Sequence, residues 1–159
     1  MIVDTTVWVD YLNGISTPEV EWFDRESERQ RLGVLDLTVC EVLQGVSTDA
    51  AAARVLRALR RFEVFDTGGI ALAEAAARNH RRLRARGRTV RKTIDCLIAT
   101  LCLEHSHALL HCDGDFDPFE DVSGCRSCIP NAQNSHGVTV ARSPQPGQSL
   151  RTPIHARLS

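Results

Sequence analysis

Short apolar runs alternate along this chain with segments of helical periodicity, and that alternation constrains the fold more than any other feature. Residues 1–4 (MIVD), 32–37, 62–65 (FEVF) and 108–111 (ALLH) read as short strands. The segments between them read as helices. Val7, Tyr11 and Leu12 recur at helical spacing, and Gly14 is placed to close that helix. Pro18 suits the first turn of a second helix over residues 18–30. A short helix over 38–45 carries Val39, Leu43 and Val46 on its apolar side, and one over 48–60 starts from Thr48 as N-cap. A long Ala/Arg-rich helix spans 68–86. In residues 93–105, Ile94, Leu97, Ile98, Leu101 and Cys102 form one apolar stripe. Strands alternating with helices predict an α/β fold with a mainly parallel sheet, whose sites gather at the carboxyl ends of the strands.

Acids stand at that edge. Asp4 ends the first strand, Glu41 and Asp95 lie near helix starts, and Asp113 follows the last strand. Each also has a local reading. Asp4 can cap the next helix. Thr38-Val39-Cys40-Glu41 fits a capping box. Asp95 suits a first helical turn, and Asp113-Gly114-Asp115 is ordinary turn chemistry. Taken together, four acids on one edge of a parallel sheet predict a metal pocket, because clustered carboxylates repel unless a cation joins them. Oxygen ligands of this kind select Mg²⁺ or Mn²⁺ over Zn²⁺. Thr6, close after Asp4, is a candidate accessory to that site. A competing zinc reading uses Cys112, Cys125, Cys128 and His136, with only half of a paired-cysteine spacing. His105, His107 and His111 have no serine or cysteine partner in the pattern and read as packing or surface residues. A phosphoacceptor signalling domain would need a pair of adjacent early acids and a late strand lysine, and the chain has neither.

Charge and composition narrow the partners. The net charge is −1, but residues 78–92 hold seven Arg and one Lys without an acid. That run is either a solvated helix face or a phosphate-binding surface, since Arg forks match phosphate oxygens. The 43% hydrophobic content suffices for a core. Cys40, Cys96 and Cys102 sit in apolar periodic segments, as packed free thiols do. No signal peptide and no bilayer-spanning apolar stretch is visible, so a soluble, cytoplasmic protein without membrane association is expected. Residues 122–159 contain no acid and four of the six Pro. Residues 123–159 are therefore expected to form an atypical, poorly ordered tail behind a domain of residues 1–122, with at most a short strand near 125–129.

MIVDTTVWVDYLNG, LTVCEVLQG, TVRKTIDCLIAT and LLHCDGDFDPF, in this order and spacing, resemble the VapC-type toxins of the PIN-domain ribonuclease family across about residues 1–122. The resemblance implies a three-layer α/β/α sandwich. It implies a Mg²⁺- or Mn²⁺-dependent endoribonuclease acting on structured RNA such as tRNA or rRNA. By motif, Asp4, Glu41, Asp95 and Asp113 would be the catalytic and metal-binding acids, with Asp115 and Thr6 accessory. Arg81, Arg84, Arg88 and Arg91 become candidates for the RNA backbone. The family also implies a homodimer and a cognate antitoxin that sets a side chain, often Arg, into the acidic pocket. Two departures stand out. Gly114 replaces the Arg common between the paired acids, and the chain after residue 122 lacks the family's short closing strand. The second motivates an alternative: a catalytically inactive PIN-like module that only binds its antitoxin.

Overall fold

The computed structural model describes residues 1–119. The possible strand near 125–129, and the tail as a whole, lie outside the described residues. Four strands form one parallel sheet: β1 (Ile2–Val3), β2 (Gly33–Leu35), β3 (Glu63–Phe65) and β4 (Leu109–Leu110), in the order β3-β2-β1-β4. Ile2 is in register with Gly33 on one side and Leu109 on the other, and Leu35 with Phe65. Six helices connect and cover them: α1 (Thr5–Asn13), α2 (Pro18–Glu26), α3 (Asp36–Gln44), α4 (Asp49–Leu59), α5 (Gly69–Ala85) and α6 (Thr93–Glu104).

Successive residues of β1, β2 and β4 enter opposite layers. Ile2, Leu35 and Leu109 pack with Leu72, Ala76, Leu83 and Ile98 of α5 and α6. Val3, Val34 and Leu110 pack with Val7, Trp8, Phe23, Val42 and Leu59 of α1 to α4. Burial on both faces is why these strands read as unbroken apolar runs rather than alternating ones. The expected α/β/α sandwich is the observed fold. In the second layer the Trp8 ring meets Phe23 and Phe62 edge-on, at centroid distances of 5.0 and 4.9 Å, and its indole N–H donates to the Val3 carbonyl at 3.1 Å. That bond satisfies the indole's one polar atom in an otherwise apolar cluster.

The helix ends follow side-chain chemistry. Asp4 caps α1, Thr17 caps α2 ahead of Pro18, and Thr48 caps α4 by accepting from the Ala51 N–H. Gly14 closes α1 at φ 67°, a left-handed conformation that glycine adopts without a Cβ clash. One expected cap is corrected. α3 begins at Asp36, two residues before Thr38, so no capping box forms with Glu41. Asp36 instead takes the Leu37 N–H and both the hydroxyl and N–H of Thr67, tying the start of α3 to the link between β3 and α5. Thr38 is wholly buried, and its hydroxyl has no hydrogen-bond partner. The helix expected over residues 18–30 is also shorter, since α2 stops at Glu26.

Candidate metal centre

The carboxyl edge of the sheet collects the acids. Asp4 follows β1 directly and is 3% exposed. Its Oδ2 accepts from the Thr6 N–H at 3.0 Å and the Thr6 hydroxyl at 2.7 Å. Asp4 is thus a helix cap and a site neighbour at once, the two readings being compatible. Asp95 sits in the first turn of α6, 4% exposed, where apolar neighbours on both sides turn it inward. Asp113 follows β4 and caps a 3₁₀ turn over Gly114–Phe116, accepting the Asp115 N–H at 3.0 Å. That turn swings the Asp115 side chain back toward α6.

Asp95, Asp113 and Asp115 each offer an oxygen within 4.8 Å of the other two. Asp115, expected as an accessory, therefore belongs to the same trio as Asp95 and Asp113. Asp4 is outside this trio but near enough for its charge to act on Asp95. Glu41 stands beyond Asp4. Its Oε2 accepts from the Thr5 hydroxyl at 2.5 Å, across the contact between α1 and α3. Thr5 escaped the reading of the sequence, and a hydroxyl adjacent to the strand-end acid was the one available hint.

The electrostatics are uneven. Burial, reinforced by Asp4, Asp113 and Asp115 and opposed by Lys92, pushes the Asp95 carboxyl up to about 6. Asp113 is held below the ordinary carboxylate range by the Asp115 N–H and by Lys92. Lys92 Nζ lies 3.1 Å from Asp113 Oδ2 and 3.9 Å from Asp95 Oδ2. Arg91 grips Asp115 Oδ1 through Nη2 at 3.1 Å and Nε at 3.3 Å. Arg91 was expected to face RNA, and here it is committed to an acid. Arg81 and Arg84 lie exposed on α5, and Arg88 is exposed just after it.

The residues fit a hard divalent cation. Asp95 Oδ2 is buried with no hydrogen-bond partner, a costly state for a carboxylate oxygen unless a cation completes it. The donor set is all oxygen, which suits Mg²⁺ or Mn²⁺ and not a thiolate-seeking metal. For the zinc alternative, Cys112 is an exposed free thiol, while Cys125, Cys128 and His136 lie outside the described residues. The His111 ring packs at a tilt against Phe116 with centroids 4.8 Å apart, and His105 and His107 stack on each other at 5.9 Å.

Comparison with known proteins identifies the family. The PIN domain family matches residues 1–122. VapC ribonuclease Mb1587 of Mycobacterium bovis and ribonuclease VapC11 of Mycobacterium tuberculosis are each 31% identical over 130 residues, covering 80% of this chain and 96% of the relative. The chain belongs to the PIN-domain family and, within it, to the VapC-type toxins. Among the described residues, no helix is long and apolar enough to cross a membrane.

Proposed function

We propose that this protein is a Mg²⁺- or Mn²⁺-dependent endoribonuclease, the toxin of a toxin–antitoxin pair, hydrolysing phosphodiester bonds in structured RNA such as tRNA or rRNA. The observation that carries the reading is the meeting of three carboxylates around a buried, unpartnered Asp95 oxygen, with Asp4 beside it. The names of the VapC ribonuclease relatives support RNA as the substrate. A bound divalent ion supplies Lewis acidity at the phosphate and lowers the pKa of an attacking water. The chain's own part is to hold and orient. Asp95, Asp113 and Asp4 bind the ion, with Glu41 completing the four-carboxylate set and Asp115 and Thr6 supporting it. Thr6 occupies Asp4 Oδ2 with two hydrogen bonds, which leaves Oδ1 free to take a proton or a ligand. Thr5 likewise occupies Glu41 Oε2 and leaves Oε1. Arg81, Arg84 and Arg88 offer guanidinium groups to the RNA backbone.

The protein acts in the cytoplasm as a homodimer, and its antitoxin silences it by placing a cation among the acids. RNA cleavage with Mg²⁺ or Mn²⁺ tests the reading. Cleavage by the wild type should be lost in EDTA and in Asp4→Asn and Asp95→Asn. Unchanged cleavage under all three conditions would refute the mechanism. One observation favours a second reading, an inactive module that only binds its antitoxin: Lys92 and Arg91 already neutralise Asp113 and Asp115. No measurable Mg²⁺ binding beside tight antitoxin binding would establish it.

A further inference from the structure

Acids that meet at one point need positive charge, and this chain carries its own. Arg91 and Lys92 are the two residues immediately before α6, so the backbone that delivers Asp95 also delivers two cations. Their side chains come in from solvent. Those of Lys92 and Arg91 are 57% and 79% exposed, while those of Asp95 and Asp115 are 5% and 11% exposed. The Lys92 ammonium makes one good contact, 3.1 Å to Asp113 Oδ2. To Asp95 Oδ2 it stands at 3.9 Å, which offsets charge but is too long for a hydrogen bond. The buried Asp95 oxygen therefore keeps a vacant acceptor position while its charge is partly balanced. An ammonium on a flexible four-carbon stem, anchored at one point at the solvent side of the cluster, is easily moved. A second cation at the same carboxylates is opposed while the first remains, because like charges at ~4 Å repel by at least ~1 kcal/mol even in water, which favours exchange over addition.

We propose that Lys92, with Arg91 beside it, is the resident counter-ion of the carboxylate cluster, and that a divalent cation enters by exchange, displacing the Lys92 ammonium from Asp113 and Asp95. The inference rests on the metal-site reading above and adds how that site is filled. Without the ion, Lys92 keeps the acids close enough to fold together. With it, Lys92 turns out to solvent beside the site.

Lys92 is the sole lysine in the sequence, so full-length protein labelled with ¹³C at lysine Cε gives a single side-chain signal for it. That signal is followed during a Mg²⁺ titration, with calorimetry run in parallel on wild type, Lys92→Met and Arg57→Met. Arg57 is an exposed cation on α4, in the opposite layer, and serves as the charge-matched control. In wild type the Lys92 signal should move to the position and sharpness of a free lysine, with the same midpoint as the calorimetric isotherm. Lys92→Met should bind Mg²⁺ about fivefold more tightly, and Arg57→Met should change affinity by less than about twofold. Mg²⁺ binding with an unmoved lysine signal, or with unaltered affinity in Lys92→Met, overturns the exchange and leaves the metal site standing. No Mg²⁺ binding by wild type or Lys92→Met overturns both.

Discussion

Asp95 is where stability and function pull against each other. Its carboxyl titrates near 6, raised by burial and by the facing Asp4, Asp113 and Asp115, with Lys92 as the opposing cation. A carboxyl raised on folding adds stability below the unfolded value of about 4, and that contribution is lost as pH rises through the folded value. In EDTA, Asp95→Asn should therefore be more stable than wild type at pH 7.5, by about 1–3 kcal/mol. The gap should close by pH 4. Urea unfolding at the two pH values checks this, and a gap independent of pH would refute it. Thr38 is a second residue whose role lies in packing. Its buried hydroxyl has no partner, so Thr38→Val should leave stability unchanged or raise it by about 1 kcal/mol, read as the urea midpoint. Thr5 has the opposite character. It holds Glu41, and Thr5→Val should slow RNA cleavage by about tenfold, the equivalent of one charge-assisted hydrogen bond, while leaving the melting temperature near that of wild type.

At the scale of elements, the sheet depends on a close approach between β2 and β3. A Cβ added to Gly33 would run into the ring of Phe65, two residues along β3 from its register partner Glu63. Gly33→Ala should destabilise by about 1–3 kcal/mol, as overpacking does, and a smaller side chain in Phe65→Leu should recover part of the loss. Thermal melts of the two single variants and the double variant measure that coupling. Gly33 gave no sign of this in the sequence, where it simply lay within the apolar run 32–37. The strands and helices themselves were largely legible, since apolar runs ending in an acid, Pro18 in a first turn and caps such as Asp4 and Thr48 are local signals. The start of α3 was not. Thr38 and Glu41 have the right spacing for a capping box, but Asp36 captures Thr67 from a distant loop, and that tertiary bond moves the helix start upstream.

At the scale of the whole molecule, the proposed site draws its acids from the residue before α1, from α3, from α6 and from the 3₁₀ turn with its cap, so the ion binding proposed above would be linked to folding. Mg²⁺ at a hundred times its dissociation constant should stabilise the protein by about 2.7 kcal/mol. The melting temperature should rise in wild type, return with EDTA and stay fixed in Asp95→Asn. A rise of equal size in that variant would show that the ion binds elsewhere. Taken alone, the sequence determined the parallel α/β class and pointed to the edge where the proposed site lies, because hydrophobic period and strand-end acids are properties of neighbouring residues. It also carried the family motifs that the comparisons support. Only the tertiary structure decided how those acids are partnered. It brought Asp115 to the side of Asp95 and Asp113, fastened Glu41 to Thr5, and set Lys92 and Arg91 among the carboxylates. These are distances between residues remote in the chain or turned by a local bend, and no periodicity encodes them. Of the four acids that the sequence placed on one edge, Asp95 and Asp113 meet Asp115 in a cluster partnered by Lys92 and Arg91, while Asp4 and Glu41 stand outside that trio.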